Sequence, residues 1–99
     1  MNKQRVSNLL GLAQRAGEII SGEEMVVKAI QEQKAKLVFL AHDAASNLTK
    51  KIQDKSHYYQ VEVVTVFSTL ELSIAVGKSR KVLAVTDAGF TKKMRSLME

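Results

Sequence analysis

Apolar residues recur along this chain in two rhythms. From the amino terminus, Val6, Leu9, Leu10, Ala13 and Ala16 follow the three-to-four-residue spacing that lines one face of a helix. Asn2 stands ahead of them as a cap. Gly17 stands behind them as the residue that tolerates the left-handed turn closing a helix. Ile19 and Ile20 form a short apolar pair, read as a brief strand. Ser21 precedes Glu24 by three residues, the spacing of a reciprocal capping box. A second helix is therefore predicted, with Val26, Val27 and Ile30 inward and Lys28, Glu32 and Gln33 outward. Leu37 to Ala41 is apolar without a break and too short for a helix, which fits a strand buried on both faces. His42 and Asp43 end that strand, with Asp43 read as a cap for a third helix carrying Ser46, Leu48, Ile52 and Tyr59. The β-branched stretch from Val61 to Phe67 reads as another strand. Ser68 and Glu71 repeat the capping-box spacing and open a helix with Leu72, Ala75 and Val76, closed by Gly77. Val82 to Val85 is a second uninterrupted apolar strand. After it, Asp87 caps a last helix on which Phe90, Met94, Leu97 and Met98 share a face.

Strands and helices thus alternate, which places the chain in the α/β class. The predicted architecture is a three-layer α/β/α sandwich around a four-stranded mixed sheet. Helical crossovers between the three longer strands predict that those three run parallel, with the Ile19–Ile20 strand added at an edge. At 99 residues the chain is read as a single domain, 1–99.

Composition narrows the function. There is no cysteine, so disulfides, thiolate metal sites and cysteine nucleophiles are excluded together. No apolar run approaches the roughly 18 residues that cross a bilayer, and the opening MNKQRVSNLL lacks the pattern of a signal peptide. A cytoplasmic monomer with no membrane partner is expected. Gly77-Lys78-Ser79 resembles the end of a phosphate-binding P-loop, but Leu72 occupies the place of the required first glycine. A helix C-cap explains Gly77 better. His42, Asp43 and His57 are too dispersed for a zinc site, and no serine sits in a G-x-S-x-G frame. Asp87-Ala88-Gly89 follows a strand, where ligands often bind, yet a helix cap accounts for the aspartate. Neither an enzyme activity nor a cofactor is expected.

Fifteen Lys and Arg against ten Asp and Glu give a net charge of +5, which favours a polyanionic partner. The basic residues are unevenly placed. Lys78, Arg80 and Lys81 crowd one predicted loop around Ser79. Lys34 and Lys36 follow the second helix; Lys50, Lys51 and Lys55 share a face of the third, and Lys92, Lys93 and Arg95 lie on the last. The start of the second helix adds backbone N–H donors suited to phosphate. Aromatic residues are only 5% of the chain, too few for a base-stacking platform. Folded RNA, read by shape and a few base edges, is the better match.

A wider resemblance adds to this. The segments Leu9–Gly17 (LLGLAQRAG), Ile19–Glu24 (IISGEE), Lys28–Ile30 (KAI), Ala35–Ala44 (AKLVFLAHDA), Ser68–Leu72 (STLEL) and Val85–Phe90 (VTDAGF) occur in the order seen in the 7Ae/30e ribosomal-protein family, especially its bacterial branch. That resemblance implies the same sandwich and binding to kink-turn RNA, a sharply bent duplex with tandem sheared G·A pairs. In the family, the start of the second helix enters the bent groove with a glycine, an Asn-Glu type pair and a lysine. Gly22 and Lys28 match, whereas Glu24 and Met25 stand where the Asn-Glu pair is usual. Lys36 matches the basic residue before the buried strand, and Asp43 the acidic residue at its end. The Lys78-Ser79-Arg80-Lys81 loop is charged where the family's is often apolar, and Ser73 replaces a glycine common after the Glu-Leu pair. The expected RNA surface is therefore Gly22, Glu23, Glu24, Lys28, Lys36, Asp43, Lys78, Ser79, Arg80 and Lys81. Two alternatives stay open: an adaptor contacting ribosomal or transcription proteins through a helix face, and a small-ligand domain using the sheet edge near Asp43 and Asp87.

Overall fold

The computed structural model describes residues 1–99, as five helices and four strands: α1 (Lys3–Arg15), β1 (Ile19–Ser21), α2 (Glu23–Gln31), β2 (Leu37–Leu40), α3 (Ser46–Tyr58), β3 (Val63–Val64), α4 (Thr69–Val76), β4 (Val82–Val85) and α5 (Ala88–Met98). The strands form one mixed sheet in the order β1-β4-β2-β3. The two uninterrupted apolar runs are its central strands, and every residue of both is buried.

Successive side chains on a strand point to opposite faces. Leu37, Phe39, Leu83 and Val85 accordingly join Val6 and Leu10 of α1, Leu72 of α4 and Met94 of α5 on one side. Val38, Leu40, Val82 and Ala84 meet Val26 and Ile30 of α2 and Ile52 of α3 on the other. Three layers follow from this arrangement, as the sequence predicts. The caps expected at Asn2, Ser68 and Asp87 form, with side chains accepting from the backbone N–H groups of Arg5, Glu71 and Phe90. Gly77 closes α4 at φ 79°, a left-handed value that a glycine adopts without a Cβ penalty.

Four expectations are corrected. First, β4 runs antiparallel to β2, and only β2 and β3 are parallel. The helix between β3 and β4 does not cross back along the sheet. His42 N donates to Phe67 O at 2.9 Å and Ala41 N to Lys81 O at 2.8 Å, so the segment carrying α4 leaves and returns at the carboxyl end of β2. Second, the strand read over 61–67 pairs only at Val63 and Val64, because β3 is an edge strand whose following residues turn toward α4. Third, the Ser21–Glu24 capping box is not made. The cap of α2 is Gly22, and the Ser21 hydroxyl is engaged by Arg80. Fourth, Asp43 does not cap α3, whose cap residue is Ala45. Its carboxylate instead accepts from Thr69 N at 2.9 Å and Thr69 Oγ1 at 2.7 Å, tying the end of β2 to the start of α4.

That tie predicts a pH dependence. The Thr69 hydroxyl and amide hold the Asp43 carboxyl below its ordinary value. The Ser68 amide, then Lys3, do the same for Glu71. The stabilisation from lowered carboxyls is whole above their unfolded-state values of about 4 and is lost as pH falls through the lower folded-state values. The melting temperature should therefore fall more steeply in acid for the natural protein than for an Asp43→Asn, Glu71→Gln double variant. Parallel pH profiles from thermal melts would remove this role for the two carboxylates.

Candidate nucleic-acid interface

Because β1 and β2 both run antiparallel to β4, the ends of β1 and β2 and the start of β4 share one end of the sheet. Three connections converge there: Gly22 into α2, residues 41–45 into α3, and the loop from Gly77 into β4. Between them lies an open cleft of about 460 Å³ lined by Ser21, Gly22, Glu23, Ala45, Asn47, Leu48 and residues 79–82.

The helix ends at this cleft differ from the others. α1, α4 and α5 begin with a side-chain cap, whereas α2 begins at Gly22 and α3 at Ala45, neither of which supplies one. Asn47 takes up one amide of α3, at Leu48. First-turn N–H groups without an intrahelical partner carry the positive end of the helix dipole and bind anions readily. Here two such ends point into one space. Gly22 makes the entry to α2 possible: at φ 93° and ψ 151° it occupies a region open almost only to glycine.

The side-chain charges add to this. Lys3, Lys34, Lys50, Lys51 and Arg95 each have a carboxylate partner within 4.0 Å. Lys28, Lys78, Arg80 and Lys81 appear in none of these pairs. Arg80 is half-buried and Lys81 exposed, both on the cleft wall. Of the two acidic residues opening α2, Glu23 is held by Lys51 at 2.9 Å, which offsets its repulsion of an incoming anion. That hydrogen bond and its charge raise the Lys51 pKa. Glu24 is exposed and forms no ion pair.

The structure thus brings Gly22, Glu23, Ser79, Arg80 and Lys81 together, with Lys78 exposed beside them in the same loop. Lys28 faces a smaller neighbouring hollow with Met25 and Lys34. Asp43 lies at the same sheet end but is occupied by Thr69. Lys36 is not part of the cleft. It precedes β2 and lines a different hollow with Lys92 and Arg95, roughly 15 Å away by the length of the strand. Sequence reasoning missed Ser21, Ala45, Asn47 and Leu48. The available signal was negative: no capping residue stands at position 45, before the third helix.

The fold is an α/β/α sandwich with two helix starts that lack a cap side chain and unpaired cations at one sheet end, and relatives give it a family. The ribosomal protein L7Ae/L30e/S12e/Gadd45 family matches residues 4–95, and the chain belongs to that family. It is 48% identical to the RNA-binding protein YlxQ of Enterococcus faecium over 98 residues, covering 99% of this chain and 95% of that one. To the RNA-binding protein YlxQ of Bacillus subtilis it is 49% identical over 92 residues, covering 92% of each. The solved structure of a protein of unknown function from Bacillus halodurans superposes with a TM-score of 0.90 at 43% identity, covering 95% of this chain and 96% of that one.

The strain-free role of Gly22 sets a test. Gly22→Ala should lower stability by about 1–3 kcal/mol, the usual cost of placing a Cβ in this backbone region. Chemical denaturation checks it, and an unchanged midpoint would show that α2 can be entered another way.

Proposed function

We propose that the protein binds folded RNA at this cleft and stabilises a kink-turn or similarly bent duplex, with no chemical step of its own. One observation carries the reading: the uncapped starts of α2 and α3 meet around Arg80 and Lys81, which have no carboxylate partners. Bending a duplex sharply crowds phosphates on its inner side. Two helix dipoles and two free cations in one cleft offset that repulsion, so they favour the bent form over the straight one. The names of the YlxQ relatives support RNA as the polyanion. Membership in a ribosomal-protein family supports a setting in ribosomal or other ribonucleoprotein particles.

A second reading has its own observation. α4 exposes Leu70 and Ile74 at 68% and 71%, and α1 exposes Leu12 at 46%, with Leu12 and Ile74 lining one shallow hollow. A helix that is apolar on its outer as well as its inner side suits a protein contact. An adaptor bridging RNA to a ribosomal or transcription protein through α1 and α4 uses both surfaces.

Titration into a kink-turn RNA, beside a control whose sheared G·A pairs are made Watson–Crick, tests the main reading. The bent RNA should bind more tightly, with log Kd rising by roughly 0.7–0.9 per log unit of salt for each phosphate engaged. Lys81→Ala should lower that slope by about one. If the protein binds neither RNA at moderate salt, the reading fails.

A further inference from the structure

Arg80 is the cleft cation whose position is most fully determined, and two serines determine it. Ser73, on the inner side of α4's last turn, reaches across the Gly77–Lys81 loop. Its hydroxyl accepts from Arg80 N at 3.0 Å and donates to Arg80 O at 3.3 Å. The loop backbone is thereby fastened to the helix it leaves. Ser21, at the end of β1, takes the side chain: Arg80 Nε donates to Ser21 Oγ at 2.8 Å. A third bond, from one terminal guanidinium nitrogen to Ser79 O at 2.7 Å, folds the head back over its own loop. Ser21 lies 59 residues from Arg80 in sequence, and none of the contacts is an ion pair. The guanidinium therefore keeps its full charge and its remaining N–H groups for an anion.

An arginine on a free loop loses rotamer entropy when it grips a phosphate. One already held in place loses less, and that difference appears as affinity. A serine supplies the hold better than a carboxylate would, since it fixes the guanidinium plane without neutralising it. This explains an otherwise odd feature of β1. Ser21 stands where a helix-capping role was expected, yet α2 is left uncapped and the hydroxyl turns to Arg80. One side chain thereby leaves the α2 amides free and orients the cation beside them.

We infer that Ser21 is a positioning residue, holding the Arg80 guanidinium preformed against an RNA phosphate on a loop that Ser73 has already fixed. The inference rests on the RNA reading above. Its test is a double-mutant cycle between Ser21→Ala and Arg80→Ala, read as Kd for a kink-turn RNA at low salt, where the remaining cations keep binding measurable. Ser21→Ala should weaken binding about threefold to tenfold, the worth of one hydrogen bond. In the Arg80→Ala background the same change should have no effect, because nothing is left to orient. Ser21→Thr, which keeps the hydroxyl and suits a strand, should bind like the natural protein, and melting temperatures should show each variant folded. An equal loss in both backgrounds, or no loss in the natural one, overturns the inference while leaving RNA binding intact. A natural protein that binds none of the RNAs overturns the RNA reading and this inference with it.

Discussion

Burial of β2 and β4 on both faces is the constraint from which the rest of the molecule follows. Strands that are apolar on both sides must be covered on both sides, so helices are required above and below. They cannot lie at an edge either, and the shorter β1 and β3 take the outer places. Alternation cannot fix the register of such strands, since a one-residue slip would still bury apolar side chains. Two backbone hydrogen bonds continue the observed register just past the ladder: Lys36 N to Val85 O at one end and Ala41 N to Lys81 O at the other. The second of these also sets where the charged loop meets the end of β2. Core packing and site geometry are thus joined at a single backbone contact.

The fold class was legible because its signals are local and strong. The unbroken runs Leu37–Ala41 and Val82–Val85, the box at Ser68 and Glu71, and the caps at Asn2 and Asp87 each determine their own segment. Strand direction was not legible. A helix between two strands usually implies a crossover, and nothing in Thr69–Val76 announces that its flanking residues are held at the same end of β2. Ser21 and Asp43 misled for a related reason. Each carries the right side chain for a nearby helix start, but a distant residue, Arg80 or Thr69, competes for it and wins. Local spacing says what a side chain can do; the tertiary fold decides which partner it meets.

Of the candidate surface, the basic loop around Arg80 and the start of α2 were legible from charge clustering and resemblance. The contribution of α3 was not, since Ala45, Asn47 and Leu48 carry no charge and matter for where a helix begins. Lys36 shows the converse: a basic residue that fits the pattern but stands at the far end of its strand. What separates the cleft from the rest of a broadly basic surface is the pair of helix starts beside its cations, since Lys36, Lys55, Lys92 and Lys93 are likewise in no ion pair. Several lysines and Arg95 are already matched to carboxylates, while Arg80 and Lys81 are not, and they sit beside two helix starts of the same sign. Charge on exposed pairs contributes little. Unpaired charge with converging dipoles offers an anion something to gain.

The most direct test of this account is a map of backbone amide shifts in the isotopically labelled protein as a kink-turn RNA is added. The account predicts that the largest changes fall on residues 22–25, 46–48 and 79–81, the two helix starts and the loop between them. Changes concentrated instead along α1 and α4, around Leu12, Leu70 and Ile74, would contradict it and move the RNA to the opposite layer of the sandwich.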